Sequence, residues 1–271
     1  MTLESRKQEE IAFHDKLRAG AHEQRWSPDA EKRIQADPLW SNFKYYAVER
    51  HSLELMRKWQ LEHCKGAVVL DYCCGNGDEA IFVAEHGARS VHGIDISEVS
   101  INNCRERAAA AGLSDIARFD VMDAEAMDFP DATFDFIMEY GVLHHLELDK
   151  GMRELARVLK PGGHMICTET LGHNPIIRAY RRRTPHLRTA WETEHILKRE
   201  QFQHMRRHFG RIEMHFFHLA TLAAVPLRGT RLFEPAVSVL RQVDRVLLSV
   251  PGLKWQAWQV LFRLSEPRRG R

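Results

Sequence analysis

Nowhere in the 271 residues do apolar side chains run for the roughly 18 positions that a membrane-spanning helix requires. The opening stretch, MTLESRKQEE, has no apolar segment behind its charges and carries acids, which argues against a secretory signal and a transit peptide alike. Cysteine is scarce. Cys64, Cys73, Cys74, Cys104 and Cys167 are an odd number without regular spacing, so a disulfide framework is excluded and a reducing compartment is implied. Internal repeats and low-complexity tracts are also missing. These absences together predict a cytoplasmic globular protein. What is present fits that class: 44% apolar and 28% charged residues can build a sizeable core, which excludes disordered, collagen-like and fibrous chains. The length suits one large α/β domain with appended elements as well as it suits two domains.

The net charge of +2 hides two opposed halves. Residues 66–170 hold 19 acids and 8 bases, whereas residues 171–271 hold 19 bases and 7 acids. Either the C-terminal part meets anions, or a basic surface docks on an acidic one within the molecule.

Hydrophobic patterning organises the chain. Residues 1–40 are polar with weak periodicity. Tyr45–Leu61 reads as a helix with apolar residues on two faces. Strand and helix then alternate: strands at Ala67–Tyr72, Val91–Asp95, Ile116–Asp120, Phe134–Tyr140 and His164–Thr170, helices at Asp78–His86, Ser97–Ala111 and Lys150–Leu159. Such an order predicts a parallel sheet with helices on both faces. Beyond Thr170 the alternation stops. Residues 171–210 are rich in Arg, His and Pro, with Pro175 marking a rigid turn. A strand follows near Ile212–Phe216, then a long helix whose Ala236, Leu240, Val243, Leu247 and Val250 share one face, then a last strand from Trp258 to Leu264.

The first strand runs into Asp71-Tyr72-Cys73-Cys74-Gly75-Asn76-Gly77, a tight turn opening a helix. Glycines there let the backbone approach a ligand, and the helix N-terminus offers free N–H groups. Asp95 ends the next strand, where a carboxylate can accept hydrogen bonds from ribose hydroxyls. These residues point to an adenosine-type ligand. Gly75-x-Gly77-x-x-Ala80 also satisfies the dinucleotide fingerprint, so a nicotinamide-dependent oxidoreductase stays open, as does a ligand-free structural turn.

Several ordered segments resemble the class I S-adenosylmethionine (SAM)-dependent methyltransferases, in the small-molecule, type 11-like branch. They are Val69–Gly77, Gly93–Ser97, Met122-Asp123-Ala124-Glu125 with Phe129-Pro130-Asp131 and Phe134-Asp135, and Arg153–Gly163, together spanning about residues 66–170. The family usually has glycine where this chain has Cys73. The resemblance implies a Rossmann-like, doubly wound sheet of seven strands, mostly parallel with an antiparallel strand at the far edge, plus helical cap segments. It implies SAM as cofactor and S-adenosylhomocysteine as product, held by Asp71, Cys73, Gly75, Gly77, Asp95, Ile96, Asp123, Ala124, Glu139 and Tyr140. The expected organisation is an N-terminal cap over 1–65, the SAM-binding core over 66–170, a cap insertion over 171–210, and completion of the sheet by 211–271. Leu171–Pro175 and the Tyr180–Thr189 stretch also resemble a bacterial subgroup of the family, without implying an acceptor.

Candidates for acceptor chemistry follow the strands. His144 and His145, after the fourth strand, can take a proton near neutral pH; the alternative is that they order the loop. His173 follows the fifth strand. Tyr45 and Tyr46 are candidates for a lid, or for a packed aromatic pair. Asn174 is a candidate acceptor contact. Arg178, Arg181, Arg182, Arg183 and Arg188 can hold an anionic group of the acceptor or form a solvated helix face, and of these Arg182 and Arg188 sit inside the family-like motif. No metal site is expected: His204 and His208 lie at i, i+4 but lack a third ligand, and the adjacent thiols of Cys73-Cys74 cannot converge on one ion. The reading is therefore methyl transfer to a small metabolite- or lipid-like acceptor, anionic if the arginines serve it, in a protein compatible with homo-oligomerisation. The rivals are an RNA methyltransferase using the basic half, an NAD-dependent oxidoreductase, and a ligand-binding module without turnover. Nucleic acid is disfavoured because the aromatic-interleaved basic stretches of RNA modules are missing.

Overall fold

The computed structural model describes residues 4–19, 26–34 and 38–269. Its helices are α1 (Ser5–Arg18), α2 (Pro28–Ile34), α3 (Arg50–Cys64), α4 (Asp78–Glu85), α5 (Glu98–Ala110), α6 (Leu148–Val158), α7 (Pro175–Arg183), α8 (Ala190–His195), α9 (Arg199–His208) and α10 (Phe233–Leu247). Its strands are β1 (Val68–Tyr72), β2 (Ser90–Asp95), β3 (Ala117–Val121), β4 (Phe134–Tyr140), β5 (Leu159–Thr170), β6 (Phe209–Phe217) and β7 (Gln259–Pro267).

The seven strands form one sheet in the order β3-β2-β1-β4-β5-β7-β6. Neighbours from β3 to β5 are parallel, and β7 runs antiparallel to both β5 and β6. The mostly parallel seven-stranded sheet is thus as expected, with its antiparallel strand one place in from the edge. Parallel strands covered on both faces must be apolar on both, and Val69, Leu70, Phe136, Ile137 and Ile166 are buried accordingly. One core layer gathers Leu70, Phe134, Leu155 and Phe262 under α6 and α9; the other gathers Val69, Ile101, Phe136 and Ile166 under α3, α4 and α5.

Local chemistry sets the element ends. The Ser97 hydroxyl caps α5 by accepting from the Ser100 N–H. Asn174 caps α7 by accepting from the N–H groups of Ile176 and Ile177, and Pro175 occupies the first helical position. The turn expected at Pro175 is therefore a helix start. The expected helix at Tyr45–Leu61 begins instead as a 3-10 turn, Phe43–Val48, followed by α3.

The polar N-terminal segment contains α1, a helix held by ion pairs rather than by an apolar stripe. One further expectation is corrected. Helix α10 ends at Leu247, short of Val250, and Val243 on it stands 40% exposed, because the helix turns Phe233, Leu240 and the carboxylate of Asp244 inward instead. Asp244 accepts hydrogen bonds from the backbone of Leu219, Ala220 and Thr221, which fixes that rotation.

Candidate active site

The carboxyl ends of β1, β2, β4 and β5 open into one cavity of about 700 Å³. This is where open α/β sheets place their ligands. Asp71, Cys73, Gly75, Asp95, Ile96, Asp123, Ala124 and Tyr140 line it, as do His144, His145, Tyr45, Tyr46, Asn174 and Arg188.

After β1 the backbone turns left-handed at Cys73, Gly75 and Gly77 (φ 53°, 54° and 75°), which presents the turn edge-on to the cavity. Gly77 itself lies behind this wall. A Cβ on it would come 3.0 Å from Cys104 Sγ, so its glycine serves the close approach of α5. Asp95 accepts from the N–H of Gly75 (2.9 Å) and of Ser97 (2.9 Å), which fixes the β2 carboxylate beside the glycine turn. Tyr72 donates its hydroxyl proton to the Ala124 carbonyl (2.8 Å), pinning the loop after β3. Asp71 accepts from the Ala80 N–H, and burial pushes its carboxyl up to about 7. Burial, with the nearby carboxylates Asp95 and Glu139, pushes the Cys73 thiol well above the ordinary range, so it stays protonated and poorly nucleophilic.

Glu139 does not line the cavity. It lies beneath the floor with Oε2 accepting from the Val142 N–H, and burial followed by the charge of Glu169 raises its pKa well above the carboxylate range. Strand alternation explains this: Tyr140, the next residue, points to the cavity and donates to Glu49 (2.7 Å).

The two histidines have separate partners. His144 Nδ1 lies 2.6 Å from Glu169 Oε2, and its Nε2 is 3.7 Å from Glu192 Oε1. His145 Nδ1 lies 3.0 Å from Glu10 Oε2 on α1. Burial opposes charge on His145, but Glu10 overcomes it and raises the imidazole above its ordinary value. Burial likewise opposes ionisation of Glu10, yet hydrogen bonds from His14, His145 and Thr189 hold its carboxyl well below the usual range.

His173 is not in the cavity; its Nε2 accepts from the Arg199 N–H at the start of α9, against Trp255. Asn174 reaches the cavity edge, but its side chain caps α7 and donates to the Gln256 carbonyl. Arg182 is exposed on the far face of α7 and is not among the cavity residues. The α7 arginine that does line the cavity is Arg181, paired with Glu192 at 2.8 Å. Arg188 is buried, with Nη1 donating to the carbonyls of Arg181 and Thr184, while Nε makes no hydrogen bond and lies 3.6 Å from Glu192. Tyr45 and Tyr46 wall the outer chamber, edge-on to Tyr180 (5.2 Å) and Trp258 (5.6 Å) respectively.

Glu10, His14, Glu169 and Glu192 line the cavity and were not singled out from the sequence. A signal existed for α1: Arg6, Lys7, Glu10 and His14 share a face at i, i+3, i+4 and i+7 to i+8 spacing. That face meets Glu125 (2.5 Å from Arg6), Asp123 (2.8 Å from Lys7) and His145.

Residues 69–163 match a family model described as "Methyltransferase domain". A demethylmenaquinone methyltransferase of Bacteroides fragilis is 33% identical over 155 residues, covering 53% of this chain and 63% of that protein. The chain thus spans under two thirds of that curated relative's length. A 27-O-demethylrifamycin SV methyltransferase of Amycolatopsis mediterranei is 39% identical over 108 residues, 39% of each chain. Among solved structures, the geranyl diphosphate C-methyltransferase of Streptomyces coelicolor, in complex with Mg2+, geranyl diphosphate and S-adenosylhomocysteine, superposes over 98% of this chain and 99% of its own. That superposition has a TM-score of 0.62 at 15% identity. The cyclase SpnF has the same fold (TM-score 0.53, 21% identity, 78% of this chain and 80% of that one). The nicotinamide alternative left open by the glycine turn gives way to this match. Residues 69–163 thus match the methyltransferase domain in sequence, and the β1 turn, β2 carboxylate and seven-stranded order have the class I methyltransferase fold.

Proposed function

We propose that this protein transfers a methyl group from SAM to an oxygen, nitrogen or carbon of a small, largely apolar molecule. The observation that carries this reading is the continuity of one cavity, from the Gly75–Asp95–Asp123 end to a chamber walled by Tyr45, Tyr46, Tyr180, Leu222 and Trp258. The named relatives act on demethylmenaquinone and a rifamycin, which supports a small-molecule acceptor here.

SAM fits the inner end. The left-handed turn leaves backbone facing the cavity at Cys73 and Gly75, and the Asp95 carboxylate stands beside it at the end of β2. In this reading Asp95 holds the ribose, Asp123 and Ala124 the adenine edge, and the Cys73–Gly75 turn the methionine part. When bound, SAM supplies the electrophilic methyl and the leaving group. The chain's own part is to position the acceptor, worth roughly 7–11 kcal/mol of barrier, and to take its proton where there is one. His144 is the base of this reading: Glu169 holds Nδ1, which orients Nε2 for proton acceptance. His145, engaged by Glu10, keeps α1 in place. Residues 1–65 and 171–210 serve as the cap.

Arg181 is paired to Glu192, but Arg188 lines the cavity with only Nη1 engaged, by neutral carbonyls, and with Nε unbonded, so an anionic group on the acceptor remains compatible with this reading. The RNA reading is weakened: Arg181, Arg228 and Arg263 of the basic half are paired with Glu192, Glu31 and Glu213.

The test is transfer of isotope-labelled methyl from SAM into a bacterial cell extract, divided afterwards into organic-soluble, RNA and protein fractions. Label in the organic-soluble fraction is expected. Label that follows RNA and disappears with nuclease would overturn the small-molecule reading.

A further inference from the structure

No metal site is expected from the sequence, yet the described residues bring possible ligands together. Glu10 and His14 of α1 and His145 after β4 place three ligand atoms within 4.8 Å of one another, on the wall of the cavity. Glu10 Oε2 lies 3.0 Å from His145 Nδ1 and 3.5 Å from His14 Nε2. Ligands about 2.0–2.2 Å from a tetrahedral ion are about 3.3 Å apart, so both separations suit one shared ion.

We propose that Glu10, His14 and His145 form a binding site for a divalent first-row transition-metal ion in the acceptor chamber. Two imidazoles and one carboxylate are a donor set suited to such ions, and three protein ligands leave a position open toward the cavity. The surroundings are those of a supported site. Thr189 Oγ1 donates to Glu10 Oε1 at 2.5 Å, which fixes the carboxylate and leaves Oε2 directed at the two histidines. A second grouping, His144, His145 and Glu192, shares His145. It is the weaker candidate because Glu192 is already neutralised by Arg181 (2.8 Å) and Arg188 (3.6 Å), and His144 is committed to Glu169.

Resting on the proposed function, the inference narrows the acceptor class. The open position would take an acceptor oxygen, a hydroxyl or enol, and favour its deprotonated form, with the proton passing to the adjacent His144.

Chelator-treated full-length protein titrated with Co2+ tests this without any turnover, read by visible absorption and by metal content. One equivalent should bind with the intense bands of a low-coordinate site. His14→Phe and Glu10→Gln should each weaken binding at least tenfold, while Glu192→Gln leaves it within about twofold. S-adenosylhomocysteine affinity, measured by calorimetry on the same samples, checks that each variant is folded. A hexa-aquo Co2+ spectrum throughout, or tight binding that survives both His14→Phe and Glu10→Gln, would overturn the site. Methyl transfer is scored separately. Stoichiometric metal with no methyl transfer would count against the proposed function, and transfer by metal-free protein against the metal's role.

Discussion

Cys73 adopts a left-handed backbone conformation (φ 53°) at the position where the family usually has glycine. A side chain there costs about 1 kcal/mol. Cys73→Gly should therefore be neutral to stabilising by about 1 kcal/mol, and Cys73→Val clearly destabilising, both measurable by urea unfolding. Asp71 gives the pH prediction. Its carboxyl titrates near 3.8 when unfolded and at about 7 when buried, so the folded state keeps a proton that the unfolded chain has lost. Its contribution to stability is complete below about 4 and is lost as pH rises to about 7. Asp71→Asn should flatten that part of a melting-temperature profile; an unchanged slope would mean that Asp71 is not the group. For catalysis, His144→Gln should lower kcat by about 10²–10⁴ with a smaller effect on KM. Glu169→Gln, acting through His144, should shift the acidic limb of the kcat–pH profile, which a merely structural role would not do.

At the scale of elements, the strands were legible because buried parallel strands must be continuous apolar runs, and Phe134–Tyr140 falls where its pattern placed it. Helix α6 was legible for the complementary reason, with Met152, Leu155 and Ala156 on one buried stripe. Helix α1 escaped because it has no such stripe; it docks through Arg6–Glu125, Lys7–Asp123, Glu10–His145 and Asp15–Ser97, contacts between positions far apart in the chain. Half of the candidate site escaped for the same reason. Which arginine of α7 faces the cavity depends on the helix rotation set by the Asn174 cap, and the partner of His144 is fixed only when β5 brings Glu169 alongside the β4 loop. The Asp95 and glycine-turn end was legible because strand ends are local. Deleting residues 1–19 should consequently abolish methyl transfer while leaving the unfolding of the sheet nearly as cooperative, as followed by far-ultraviolet circular dichroism during a melt.

On the scale of the whole molecule, the basic half is balanced by its own acids and by the N-terminal segment more than by the acidic half. Arg263 pairs with Glu213 (2.6 Å) and Arg181 with Glu192 (2.8 Å) inside the basic half, and Arg228 reaches back to Glu31 (2.7 Å). Among the described residues no helix is long and apolar enough to cross a membrane. The sheet brings the Asp95 turn, the His144–Glu169 pair and the aromatic chamber to one end, and the proposed function puts cofactor and acceptor in that single enclosure. Calorimetric titration with S-adenosylhomocysteine, against NADH as control, tests that assignment most directly. Wild-type protein should bind S-adenosylhomocysteine in preference to NADH, and Asp95→Ala should weaken it at least tenfold while Arg182→Ala leaves it unchanged. Preference for NADH, or undiminished binding by Asp95→Ala, would contradict it.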